Sequence, residues 1–224
     1  MKKIILALDE IENLDDVVAL VKKVGYLVYA VKIHNLYDKF GPDIVHILKE
    51  AGARKVWVDF KLYDIPNTGK LRAENIMADI ISVHASGGVK MMKEIVASGK
   101  DVFAVTMLTS FSPDEIKQIY NREVDDAVLV LAKLAKKAGV SGIVCSPKEI
   151  KMLRGYPELN DLKLVVPGIR SSGVLLNDQN RVGTPTQALI DGADYLVVGR
   201  QITQADNPEE EVMKLCEEIR KYMI

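Results

Sequence analysis

The sequence is poor in the residues that force a special architecture. Two cysteines, Cys145 and Cys216, stand among 224 residues. One ends an apolar run and the other lies in a helical pattern, so they form neither a disulfide framework nor a metal motif. Reduced, buried thiols are the expectation for them. The three histidines, His34, His46 and His84, are not spaced as metal ligands. No apolar run approaches the roughly 20 residues that a membrane-spanning helix needs. Ile4–Leu8, following Met1-Lys2-Lys3, is too short for the core of a signal peptide. Excess charge of one sign is also missing. The formal net charge is −1, which argues against a broad cationic surface for nucleic acid or an anionic membrane. A local pocket for a single phosphate remains compatible with it. No low-complexity linker or shift in composition divides the chain, so one cytoplasmic domain over residues 1–224 is expected.

What the sequence does have is alternation. Short apolar runs at Lys3–Leu8, Val28–Ile33, Lys55–Phe60, Asp79–His84, Asp101–Leu108, Ser141–Cys145, Lys163–Val166 and Tyr195–Val198 are separated by helical patterns. Eight strand–helix units favour a (β/α)₈ barrel over an open doubly wound sheet. Helix starts are marked by Ser112-Pro113-Asp114-Glu115 and Ser146-Pro147-Lys148-Glu149, each a capping box with proline in the first turn. Thr184-Pro185 and Asn207-Pro208 repeat the cap-then-proline pattern, and Glu209, Glu210 and Glu211 suit the positive end of the last helix. The glutamate-rich remainder of that helix reads as a solvated face.

Period-two alternation assigns strand faces. Leu6, Leu8, Tyr29, Val31, Val58 and Phe60 fall on one face, under covering helices. The other face carries Ile5, Ala7, Val28, Ala30 and Trp57, then ends in charge: Asp9, Lys32, Asp59 and Lys61. In a barrel this second face is the interior, and its C-terminal mouth is where barrel enzymes put their chemistry. Opposite charges placed together hold one another ionised. One Asp-x-Lys alone would be a solvated ion pair; three successive strands ending in inward charge point to a site. Trp57 is expected in the barrel core, His46 on a helix surface, and His84 as a hydrogen-bonded interior residue.

Asp59-Phe60-Lys61-Leu62-Tyr63-Asp64-Ile65-Pro66-Asn67-Thr68 resembles the signature of the orotidine 5′-monophosphate decarboxylase family. Matching blocks follow in order: Leu8-Asp9, Val31-Lys32, Val83–Gly88, Leu108-Thr109-Ser110, Val144-Cys145-Ser146, Pro167-Gly168-Ile169-Arg170, Asp178-Gln179-x-Arg181 with Thr184-Pro185, and Gly199-Arg200. The resemblance implies conversion of orotidine 5′-monophosphate to uridine 5′-monophosphate without metal or cofactor. It implies Lys61 as proton donor to C6, with Lys32, Asp59 and Asp64 completing the charge network. Asp64 and Thr68 would reach the partner's site in a homodimer. Asp9 and Lys32 would hold ribose hydroxyls, and Thr109 and Ser110 the pyrimidine. Gln179, Gly199 and Arg200, with Pro167 and Arg170 close by, would hold the phosphate.

Barrels often bind phosphate with the loops after strands 7 and 8, here the Pro167–Arg170 and Gly199-Arg200 stretches. The polar stretch Ser171–Arg181 is expected to be a lid whose closure spends phosphate-binding energy on chemistry. Two departures from the family stand out. Residues 69–82 are shorter than usual by about one helical turn, leaving a weakly apolar helix anchored by Leu71, Ile76 and Met77. Val166 stands where threonine is common. Two other readings stay open: Mg²⁺-dependent sugar-phosphate decarboxylases and aldolases that share Asp-x-Lys-x-x-Asp, and a silent barrel that binds a nucleotide without turning it over.

Overall fold

The computed structural model describes residues 2–171 and 183–221. Eight parallel strands close into a barrel in sequence order: β1 Ile4–Ala7, β2 Ala30–Ile33, β3 Val56–Leu62, β4 Ile80–His84, β5 Asp101–Val105, β6 Gly142–Val144, β7 Lys163–Val166 and β8 Tyr195–Val198. Closure is the pairing of β1 with β8, Ile5 opposite Val197 and Leu6 opposite Val198. Helices follow the strands, as a parallel sheet requires. Their starts are set by local chemistry. Asn13 caps Leu14–Val24 by accepting from the Asp15 and Asp16 amides. Ser112 and Glu115 form a reciprocal capping box, and Thr184 and Asn207 each cap the helix that follows.

The alternation read from the strands places two separate apolar layers. Outward side chains such as Leu6, Leu8, Val31, Val58 and Val83 pack beneath the helices. Inward ones, Ile5, Ala7, Ala30, Trp57, Ile80, Phe103, Val165 and Val197, fill the lower barrel. Trp57 is buried there, edge-on to Phe103 at 5.2 Å between ring centroids. Tyr29 and Tyr195 stack at 4.1 Å and extend this plug.

Val28 and Tyr29 are on the opposite faces from those expected. Tyr29 packs against the interior cluster while Val28 joins the outer one. The regular strand starts only at Ala30, so period-two parity does not extend back to residues 28 and 29.

Carboxylates pin the N-terminal end of the barrel. Asp79 accepts from Lys49 and from the Val56 amide. Asp194 accepts from Arg154 and from the Leu164 amide. Asp101 accepts from Lys55 and Ser141.

The helix Pro66–Asn75 packs differently from its sequence reading. Its buried residues are Gly69 and Ala73, whereas Leu71 and Met77 are half exposed; only Ile76 of the expected anchors is buried. Small residues allow close approach to the helix Gly88–Val96, and a Cβ on Gly69 would lie 3.0 Å from Ile95 Cδ1.

Candidate active site

The apolar plug stops at the level of Trp57, and a layer of charge lies above it. Lys32 Nζ is 2.5 Å from Asp9 Oδ2 and 3.3 Å from Asp59 Oδ2. Lys61 Nζ is 2.9 Å from that same Asp59 oxygen. The order is therefore Asp9, Lys32, Asp59, Lys61, alternating in sign. Lys32 and Asp59 are buried, while Asp9 and Lys61 face the mouth. Burial alone would lower the Lys32 pKa, but the Asp59 and Asp9 carboxylates outweigh it, and the net shift is upward. Burial alone would raise the Asp59 pKa; the Lys32 and Lys61 ammoniums reverse that and hold it below the ordinary carboxylate range. Both groups are thereby fixed in their charged forms.

Strand β3 is irregular where it delivers Lys61. It was expected to end at Phe60 but runs to Leu62, and its register against β4 shifts between Val58 and Leu62. Lys61 sits at φ 49°, in the left-handed region, a conformation that costs of order 1 kcal/mol or more and clusters at functional sites. Its amide leaves the ladder and donates to Ser82 Oγ at 2.9 Å. The Ser82 hydroxyl donates in turn to Asp59 Oδ1 at 2.6 Å. Fully buried Ser82 thus fixes both the bulge and the second Asp59 oxygen. Reading charge alone missed it, although its parity with Ile80 on β4 was available.

A cavity of about 370 Å³ opens above this layer. Asp9, Lys32, Asp59, Lys61, Thr109, Pro167, Arg170, Gly199 and Arg200 all line it. Trp57, Val105, Met107, Val144 and Val197 supply apolar wall, and Glu10, Gln201 and Thr203 add polar groups that were not anticipated.

The rim near Arg170 is tied down by backbone pairing. The Gly183 amide donates to Gly168 O, and the Arg170 amide to Gly183 O at 3.0 Å. Gly168 has φ 75°, where a side chain would be strained. Gln201 accepts from the Ser171 amide at 3.0 Å and donates to Glu211 at 2.8 Å, linking this rim to the last helix.

Three expected residues among the described ones do not line the cavity. Ser110 is exposed and outside its wall, because β5 ends at Val105 and the chain has turned away. Asp64 is exposed, its carboxylate accepting from the Ile65 amide. Thr68 lines a separate shallow groove with Tyr37, Phe60 and Leu71. Gln179, and the proposed lid beyond Ser171, lie outside the described residues. His84 also differs from expectation: it meets Tyr63 edge-on at 6.0 Å, and burial, then Lys61, lowers its pKa. The imidazole is kept neutral beside an ammonium. Among the described residues, no group of three or more His, Cys, Asp or Glu side chains stands together as metal ligands.

Residues 2–215 match the model of the "Orotidine 5'-phosphate decarboxylase / HUMPS family". The chain belongs to this family. An orotidine 5′-phosphate decarboxylase of Staphylococcus aureus (strain Newman) is 42% identical over 193 residues, 81% of this chain and 83% of that one. One of Syntrophomonas wolfei is 38% identical over 240 residues, covering 98% of both. The crystal structure of orotidine 5′-phosphate decarboxylase from Lactobacillus acidophilus superposes with a TM-score of 0.81 at 30% identity, over 98% of this chain and 99% of that one.

Ser82→Ala removes the hydroxyl that serves both Asp59 and the Lys61 amide. It is expected to cost about 1–3 kcal/mol of stability, the scale for stranding buried polar groups, and to lower turnover as Lys61 loses its fixed backbone. Denaturant unfolding and initial rates check this. A variant with wild-type stability and rate would show that Ser82 does not hold the network.

Proposed function

We propose that the chain decarboxylates orotidine 5′-monophosphate to uridine 5′-monophosphate, as a cytoplasmic, single-domain homodimer and without metal or cofactor. The observation that carries this reading is the buried Asp59 carboxylate held between two lysine ammoniums, at the barrel mouth of a chain from this family. Breaking the C6–carboxylate bond releases CO₂ and leaves an electron pair in the ring plane, where no π system can delocalise it. A preorganised positive field must stabilise that charge and an acid must quench it. Lys61 supplies both: its ammonium stands at the mouth and transfers a proton to C6, and the amine recovers a proton from water. Asp59 holds the Lys61 ammonium in place, and Lys32 keeps Asp59 ionised. Asp9 and Lys32 take ribose hydroxyls, and Thr109 faces the base.

At the other end of the cavity, Arg170, Arg200 and the backbone at Pro167 and Gly199 take the phosphate. Arginine suits this task because its planar fork binds phosphate oxygens bidentately. Binding a non-reacting phosphate contributes energy that holds the pyrimidine carboxylate against the charged layer.

Asp64 and Thr68 act in the partner's site. Tyr63 and Ile65 beside them, and Leu71 and Met77 along and after the following helix, are exposed large side chains, a feature that marks interfaces where such side chains gather.

The direct test is loss of orotidine 5′-monophosphate absorbance with EDTA present. Rapid loss is expected, and Lys61→Ala should abolish it while leaving the fold intact and nucleotide binding measurable. Turnover that needs added Mg²⁺, or a Lys61→Ala enzyme of wild-type rate, would overturn the reading.

Sharing of Asp64 is tested by mixing. Lys61→Ala and Asp64→Ala homodimers should each be inactive. Subunit exchange should restore up to about a quarter of wild-type activity, because half the dimers would carry one undamaged site of two. No recovery after verified exchange would mean that Asp64 does not serve the partner.

A further inference from the structure

The charge network absorbs Asp9 but leaves its neighbour unexplained. Glu10 follows Asp9 directly, and β1 pairs with β8 in register, so the residues after the two strands meet at the mouth. Glu10 Oε1 lies 3.4 Å from Arg200 Nε, and Glu10 Oε2 accepts from Gln204 Nε2 at 3.2 Å. Both carboxylate oxygens are engaged, and both Glu10 and Arg200 line the cavity.

As a stabilising ion pair this contact is worth little, because Glu10 is 49% exposed. As a neighbour of a bound phosphate, an anion is unfavourable through repulsion. A carboxylate in that position needs a compensating role, and its geometry supplies one. Its Oε1 pairs with the guanidinium at Nε, and Gln204 donates to its other oxygen. Arginine otherwise loses much rotamer freedom on binding, and an arginine oriented in advance loses less of it when the ligand arrives.

We propose that Glu10 is a positioning residue that presents the Arg200 guanidinium to the substrate phosphate. This rests on the reading of Arg200 as a phosphate ligand. Glu10 acts through its charge, which pairs with the guanidinium at Nε, while Gln204 holds the other carboxylate oxygen.

The test uses the full chain with Glu10→Gln, Glu10→Ala and Arg200→Ala. It measures kcat and KM for orotidine 5′-monophosphate and, separately, equilibrium binding of inorganic phosphate. Glu10→Ala should raise KM about tenfold and weaken inorganic phosphate by a similar factor, with kcat changed by less than about twofold. Glu10→Gln keeps the shape but loses the charge, and should be impaired to within about twofold of Glu10→Ala in both. Phosphate binding unchanged or tightened in Glu10→Ala would overturn the proposal. So would a fall in kcat at constant KM, or a Glu10→Gln enzyme that behaves as wild type. Inorganic phosphate binding separates the two readings: a wild type that does not turn over the nucleotide, yet loses phosphate in both Arg200→Ala and Glu10→Ala, would refute the decarboxylase and leave Glu10 in its role.

Discussion

The Asp59 carboxylate, buried between two ammoniums, is the constraint around which the barrel mouth is built. A lone charge at that depth would neutralise itself by taking or losing a proton. Asp59 stays ionised because Lys32 and Lys61 share one of its oxygens and Ser82 takes the other. Lys32 stays ionised because Asp9 and Asp59 flank it. Such a network is a weak source of stability, since desolvation offsets most of its Coulomb gain. The rest of the fold holds it in place: the aromatic plug of Trp57, Phe103, Tyr29 and Tyr195 below, and the layer of aliphatic side chains under the helices outside.

The arrangement separates two tasks across one cavity. β1, β2 and β3 lead to the alternating charges that the proposed reaction uses on C6, and the ends of β7 and β8 lead to Arg170 and Arg200 on the same cavity. β1 touches both sides, through Asp9 on Lys32 and Glu10 on Arg200. The strained Lys61 backbone is where the regular sheet gives way to chemistry, since only a bulge in β3 leaves its amide for Ser82.

Much of this was legible from residue alternation. Period two placed Asp9, Lys32, Asp59 and Lys61 on the inner face because strand geometry enforces it, and the barrel brought their ends together. What was not legible arises where regular periodicity fails. Tyr29 precedes its strand, so parity did not apply. The β3 bulge depends on pairing with β4, which no local pattern encodes. Ser82 is uncharged and looks like any strand serine until its partners are placed. Leu71 seemed a helix anchor because apolar residues usually turn inward; here Gly69 and Ala73 make the contact and Leu71 is left exposed. Asp64 belonged to the same signature as Lys61, yet the chain turns it away from its own cavity.

The most direct measurement is a nitrogen-15 NMR titration of the lysine side-chain ammoniums with pH, in the wild type and in Asp59→Asn. A raised Lys32 pKa means that its contribution to stability is complete below the ordinary value of 10.5 and is lost only as pH rises through the higher folded value. The Lys32 ammonium should therefore persist above that pH in the wild type, and lose its proton at lower pH once Asp59 is neutral. A wild-type Lys32 that titrates at or below its ordinary value, or that is indifferent to Asp59→Asn, would contradict a site organised around the buried carboxylate.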